Sequence, residues 1–184
     1  MYNLRSILAF LGFEKLENPD MVPNLGFEFI DHLTNNVQQG AMQKWADFYK
    51  NLFGFSEVKY FDINGVKTGL TSFALQSPDG SFCIPINEAK DQKSQINEYL
   101  EEYKGAGVQH IALHTSNIID SVSRLGTTGL ETLDIDNEYY EEVFERVPGV
   151  SEDKAALQKN QILVDGDEEG YLLQIFTKNI IGPI

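Results

Sequence analysis

The stretch GFEFIDHLTNNV (residues 26–37) and its counterpart GVQHIALHTS (residues 107–116) decide how this chain is built. Each is a short run rich in β-branched and apolar residues with a histidine inside it, His32 in the first and His110 in the second. A helix-like segment follows each run, AMQKWADFYKNLF after the first and NIIDSVSRLG after the second. We therefore expect two structural modules of similar plan, each offering one imidazole from its opening strand.

Turn signals divide the rest of the chain. A helix that ends at Gly54, the hairpin signal Asn64-Gly65 and the turn SPDG give the first module (residues 26–104) the plan β-α-β-β-β. The second module (residues 105–184) reads as β-α-β-β-β with helical insertions, and its last strand is absent or barely begun. Strands of the second module are predicted at residues 108–115, 131–135, 161–164 and 171–178.

Length, charge and cysteine content limit the classes of function. The chain has 184 residues and a formal net charge of -14, which disfavours binding to nucleic acid and to anionic membranes. Cys83 is the single cysteine, so no intrachain disulfide can form, and we expect a cytoplasmic protein. The apolar run SILAFLGF is too short to cross a bilayer. Residues 1–25 read as an arm or linker.

Three histidines are candidates for a metal site, although none belongs to a strong sequence motif. A lone histidine in a strand is more often a core or edge residue than a ligand. However, His32 and His110 occupy equivalent places in modules whose first strands should lie side by side, so the two rings could converge. His114 lies four positions beyond His110, which is about 13 Å along a strand, so one metal ion cannot bind both. We expect His114 either to have a structural role or to support a metal ligand from outside the coordination sphere.

A site with two histidines needs a third donor. Two neutral imidazoles and one carboxylate form the facial triad of non-haem Fe(II) oxygenases. Strand alternation places Ile30, His32 and Thr34 on one face and Asp31 on the opposite face. No residue of the chain stands out as the third ligand.

Several long segments resemble the C-terminal catalytic domain of the 4-hydroxyphenylpyruvate dioxygenase family, which belongs to the vicinal oxygen chelate superfamily. The matching segments are IDHLTNNV, FDINGVKTGLTSFALQSPDG, IPINE, GVQHIALHT and GYLLQIFTKNIIGP. They cover nearly everything from Phe27 onwards. The resemblance implies an α+β fold in which paired βαβββ modules form a curved mixed sheet with the helices outside and the last strand missing. Residues 26–184 would form this one catalytic domain.

The resemblance also implies which residues form the site. The family's metal-binding histidines fall on His32 and His110, and the metal would be Fe(II). Its substrate-pocket residues fall on Ser72, Pro85, Asn87, Gln95, Gln109, Gln174 and Phe176. Each has an ordinary alternative role, such as hydrogen bonding to the backbone for the polar residues or core packing for the phenylalanine. Alternation places the last two on one face, where a glutamine is unusual unless it faces a polar cavity.

By resemblance, the intact protein would convert 4-hydroxyphenylpyruvate and O2 to homogentisate and CO2 in tyrosine breakdown. The family's glutamate ligand follows the GP of NIIGPI, beyond Ile184 in this sequence, and a further βαβββ domain precedes the catalytic one. We therefore expect a fragment that binds Fe(II) weakly and turns over poorly or not at all. A missing strand leaves an unpaired sheet edge, so we also expect a homo-oligomer.

Other classes of function stay open. A hydroxymandelate synthase-like dioxygenase would use the same substrate and the same iron ligands. A non-catalytic domain of the superfamily would bind a small molecule without chemistry, and a vestigial domain would have no ligand at all. A glyoxalase-like enzyme would need glutamate ligands in mid-module strands, which the sequence does not offer.

Overall fold

Strands and helices follow one another largely in the order that the turn signals predict. The computed structural model describes residues 24–64, 69–167 and 170–184, without the side chains of residues 60–64. Most of the predicted arm and part of the Asn64-Gly65 turn lie outside these residues. The elements are β1 (Phe29–Val37), α1 (Met42–Phe53), β2 (Ser56–Asn64), β3 (Gly69–Gln76), β4 (Cys83–Ala89), α2 (Gln95–Tyr103), β5 (Gly107–His114), α3 (Ile118–Leu125), α4 (Asn137–Arg146), α5 (Lys154–Lys159), β6 (Leu163–Gly166) and β7 (Tyr171–Gln174).

Five strands form one mixed sheet in the order β2-β3-β4-β1-β5. Strand β1 pairs in parallel with β4 and antiparallel with β5, and the other neighbours are antiparallel. The opening strands of the two predicted modules are therefore direct neighbours. The fold is α+β with a mixed sheet and helices, and the described strands do not close into a barrel.

Helix α1 packs against the sheet through an apolar stripe. Ala46 is fully buried there, and Trp45 and Tyr49 border the cluster. The helix ends where the sequence indicates, because Gly54 adopts a left-handed φ of 70° that a side chain would disfavour. The buried members of this cluster are Val37, Met42, Ala46, Leu75, Ile84 and Ile86. Since strand side chains alternate, the intervening residues of these strands point to the opposite face of the sheet.

The second half of the chain has its own apolar cluster, built around α4, α5 and β6, with Val143 and Leu157 at its centre. Within the described residues, β6 and β7 form a two-stranded sheet separate from the five-stranded one. None of the described helices is long and apolar enough to cross a membrane.

The predicted strand over residues 131–135 is wrong in extent. Only an isolated bridge forms, between Thr132 and Thr177, with the amide of Leu133 donating to the carbonyl of Phe176 at 2.9 Å. The pairing stays short because α4 begins at Asn137, so the chain leaves the sheet within a few residues. Strand β7 is likewise shorter than predicted.

Candidate metal centre

His32 and His110 meet across the junction of the two opening strands. Their Nε2 atoms lie 3.4 Å apart, and the two rings are edge-on with centroids 5.5 Å apart. His110 is paired with Thr34 and His32 with Ala112, so the rings are diagonal neighbours on one face of an antiparallel pair. The convergence expected from the paired modules is present.

A β-bulge lies beside the first histidine. Ile30 and His32 pair with the consecutive residues Leu113 and Ala112, which leaves Asp31 as an extra residue in β1. A bulge breaks the regular alternation of side chains and re-aims those beside it. The prediction that Asp31 points away from His32 is wrong for this reason.

A second bulge lies beside the other histidine. Thr34 and the next residue Asn35 pair with His110 and Val108, so Gln109 is the extra residue, this time in β5. Each histidine of the pair is therefore preceded by a bulged residue. Sequence alternation cannot reveal this, because the offsets arise only when the strands of the two modules pair.

Both bulged side chains bond the ring that follows them. The carboxylate of Asp31 accepts from Nδ1 of His32 at 2.7 Å, and the amide oxygen of Gln109 accepts from Nδ1 of His110 at 2.5 Å. An ionised carboxylate can only accept, so Nδ1 of His32 carries the proton in this bond. Each ring then presents Nε2 to the other ring, which is the nitrogen left free for a ligand.

The surroundings of His110 keep its ring neutral. Burial, with a smaller contribution from the neighbouring His32, lowers the pKa of His110 to about 4. The ring of Phe176 packs edge-on against His110 with centroids 5.7 Å apart, and it covers part of the imidazole. A neutral imidazole with a free Nε2 is the form that binds metal ions.

The two Nε2 atoms fit a shared metal ion. Metal–imidazole bonds of about 2.0–2.1 Å, as for zinc, can reach one ion from nitrogens 3.4 Å apart. Imidazole donors suit iron, zinc, copper and nickel alike. Within the described residues, no cluster of three or more His, Cys, Asp or Glu side chains has metal-binding geometry. The metal-binding roles of His32 and His110 therefore stay predictions.

Three further predicted site residues share the face of the sheet opposite the α1 cluster, which we call the site face. Ser72 on β3 is paired with Asn87 on β4, and Pro85 is paired with Ala74. Asn87 is also paired with Asn36 on β1, which lies four residues from His32 on the same strand. Register thus brings these residues onto the face that carries the histidine pair, while their roles as substrate ligands stay predictions.

Two polar residues of the site face were not singled out from the sequence. Thr34 and Asn36 are 3% and 5% exposed and lie between His32 and the paired Ser72 and Asn87. Threonine and asparagine are rarely so buried, which makes this face polar in its interior. Strand alternation could have identified both residues, because positions two and four residues after His32 lie on the same face of the strand.

The remaining predicted residues are more scattered. Phe176 contacts His110, as described above. Gln174 ends β7 and pairs with Leu163, and Gln95 is the exposed first residue of α2. Within the described residues, neither glutamine forms a hydrogen bond with the histidine pair.

His114 stands apart from the pair at the end of β5. Its Nδ1 lies 3.3 Å from the carboxylate of Glu28, and its ring stacks on Phe29 with centroids 4.5 Å apart. These contacts connect the end of β5 to the start of β1, which is consistent with a structural role for His114.

Comparison with known proteins identifies the superfamily of this chain. Residues 29–174 match the model of the Glyoxalase/Bleomycin resistance protein/Dioxygenase superfamily, and the chain belongs to that superfamily.

Two curated proteins are similar to this chain over almost all of its length. The chain is 56% identical over 173 residues to Protein MelA of Shewanella colwelliana, covering 94% of this chain and 50% of that protein. It is 47% identical over 172 residues to 4-hydroxyphenylpyruvate dioxygenase of Legionella pneumophila, covering 92% of this chain and 49% of the relative. The chain thus spans about half the length of these relatives.

A solved structure is also similar. A mutant of 4-hydroxymandelate synthase from Streptomyces coelicolor superposes with a TM-score of 0.73 at 28% identity, over 83% of this chain and 44% of that one. The likenesses in sequence and in structure both point to the dioxygenase branch of the superfamily.

Proposed function

We propose that this chain carries the metal-binding half of a non-haem Fe(II) dioxygenase that converts 4-hydroxyphenylpyruvate and O2 to homogentisate and CO2 in tyrosine breakdown. The observation that carries the proposal is the meeting of two Nε2 atoms 3.4 Å apart, with both Nδ1 atoms bonded elsewhere. The name of the Legionella relative supports the choice of substrate. The single cysteine supports a cytoplasmic location.

Each residue has a defined task in this proposal. His32 and His110 hold Fe(II) through Nε2, and a bound iron would supply coordination positions for the 2-oxo acid and O2. Ser72 and Asn87 face the same side of the sheet and orient the polar groups of the substrate. Phe176 covers His110 and excludes water from one side of the ring.

The experiment is anaerobic calorimetric titration of Fe(II) into the 184-residue chain. We expect weak binding that is lost in both His32→Ala and His110→Ala, because each substitution removes one of the two nitrogen donors. His114→Ala is the matched control, since His114 lies outside the pair. The affinity of this variant for Fe(II) should equal that of the unmodified chain. Unchanged affinity in either pair variant would refute the metal centre.

A second candidate reaction gives hydroxymandelate from the same substrate. The structural similarity to 4-hydroxymandelate synthase favours keeping it. Chromatography of the products after incubation with 4-hydroxyphenylpyruvate, Fe(II) and O2 separates the two, since homogentisate carries the new hydroxyl on the ring. Formation of 4-hydroxymandelate without homogentisate would refute the first reaction in favour of the second.

A further inference from the structure

The two histidines of the pair share an unusual relationship with the residue before them. Asp31 and Gln109 are both extra residues at β-bulges, one in β1 and one in β5. Both use a side-chain oxygen to accept from Nδ1 of the next residue, His32 or His110. The arrangement occurs once in each strand, at the two rings that meet.

We propose that Asp31 and Gln109 are positioning residues that hold His32 and His110 as the Nδ1–H tautomer, so that both Nε2 atoms are free to bind one metal ion. This inference rests on the proposed metal centre. It gives Gln109 a contact with the histidine ring, in place of the substrate contact expected by resemblance.

The physical argument begins with strand geometry. In a regular strand the side chain before a histidine points to the opposite face and cannot reach its ring. The bulge removes this restriction at the cost of one unpaired residue in the ladder. Burial of these side chains does not explain the bulges, since Asp31 is 51% exposed and Gln109 is only partly buried.

The tautomer matters because of where the proton goes. An oxygen acceptor at Nδ1 keeps the proton on that nitrogen and leaves a lone pair on Nε2. Without the acceptor, a proton on Nε2 of His32 would face Nε2 of His110 at 3.4 Å and occupy the position a metal needs. Oxygen partners of this kind fix the orientation of metal-binding histidines and raise their basicity.

A second carboxylate–histidine contact supplies a control within the same strand pair. Glu28 lies 3.3 Å from Nδ1 of His114, with both side chains 44% exposed. This contact resembles that of Asp31 but involves a ring outside the pair. Removing it should leave the pair unchanged.

The first measurement uses the metal-free protein labelled with 15N, above neutral pH. Long-range 1H–15N correlations report which ring nitrogen carries the proton. We expect the Nδ1–H tautomer for His32 and His110 in the unmodified chain. Asp31→Ala should shift His32 towards Nε2–H and leave His110 unchanged, and Gln109→Ala should do the reverse. Asp31→Asn keeps an oxygen acceptor and should restore the original tautomer.

The second measurement is the affinity for Co(II) alone, followed by visible absorption. We expect Asp31→Ala and Gln109→Ala to lose about 10–100-fold in affinity, whereas Glu28→Ala loses none. Unchanged tautomers together with unchanged affinity would overturn the proposal. If Asp31→Ala failed to fold by circular dichroism, Gln109→Ala on the other strand would decide the question for His110.

The two readouts separate this inference from the proposed function. If the unmodified chain binds no Co(II), the metal centre fails, yet the tautomer shifts still show whether Asp31 and Gln109 position the rings. If Co(II) binds but Asp31→Ala and Gln109→Ala leave both tautomers and the affinity unaltered, the metal centre stands and the positioning role is refuted.

Discussion

His32 and His110 place their Nε2 atoms 3.4 Å apart although 78 positions of sequence separate them. The contact exists because β1 and β5, the opening strands of the two predicted modules, pair antiparallel. The pair is therefore a product of the interface between the modules. Neither half of the chain contains it alone.

The titration of His110 provides a first prediction. Its pKa is lowered to about 4 in the metal-free folded chain, whereas an unfolded histidine titrates near 6.5. Between these values the unfolded state binds more protons, so the free energy of unfolding falls as the pH drops from about 6.5 to about 4. Urea denaturation across this range should show a flatter pH dependence in His110→Asn. Equal slopes in the two proteins would contradict the buried neutral ring.

Phe176 should control that pKa. Its ring covers part of His110, so Phe176→Ala admits water and should raise the pKa of His110 towards the ordinary histidine value. Phe176→Leu keeps an apolar cover and should raise the pKa less. The measurement is an NMR titration of the imidazole carbon-bound protons. Phe29→Ala, which uncovers His114 instead, serves as the control and should leave the His110 titration unmoved.

Tyr139 stabilises the second half of the chain through one hydroxyl. The hydroxyl donates to the carbonyl of Val164 at 2.7 Å and accepts from the amide of the same residue at 2.9 Å. Val164 is 1% exposed, so Tyr139→Phe would leave two buried backbone groups without this partner. We expect a loss of about 1–3 kcal/mol in the free energy of unfolding, measured by urea denaturation.

The control for that substitution is Tyr103→Phe. Tyr103 is 43% exposed, and its hydroxyl forms no hydrogen bond within the described part of the chain. The change should stay within about 0.5 kcal/mol. Equal effects of the two substitutions would mean that the Tyr139 hydroxyl contributes nothing specific.

The edge of the five-stranded sheet should promote self-association. Among the described strands, β5 lies at one edge of the sheet, and its side chains Ile111 and Leu113 are about half exposed. Exposed apolar edge strands pair with other chains, so sedimentation velocity should show an average mass that rises with concentration. Leu113→Lys should lower that rise, and Leu52→Lys, at an exposed site on α1, should not. A monomer at all concentrations would rule out association through this edge.

The sequence by itself determined a good part of the fold and of the site. Local signals were sufficient for α1 and its end at Gly54, since a helix stripe and a left-handed glycine depend on neighbouring residues only. The likeness of the two opening strands indicated that His32 and His110 could converge. Strand alternation also fixed which residues of β1 follow His32 on the site face.

Only the tertiary structure decided how the rings are held. The bulges at Asp31 and Gln109 are offsets between strands from different modules, and alternation within one strand contains no information about them. Two other features also depend on contacts between distant segments. Phe176 covers His110, and the predicted strand at residues 131–135 is reduced to one bridge. Each depends on which distant segment arrives as a partner, and a local pattern of residues does not specify that partner.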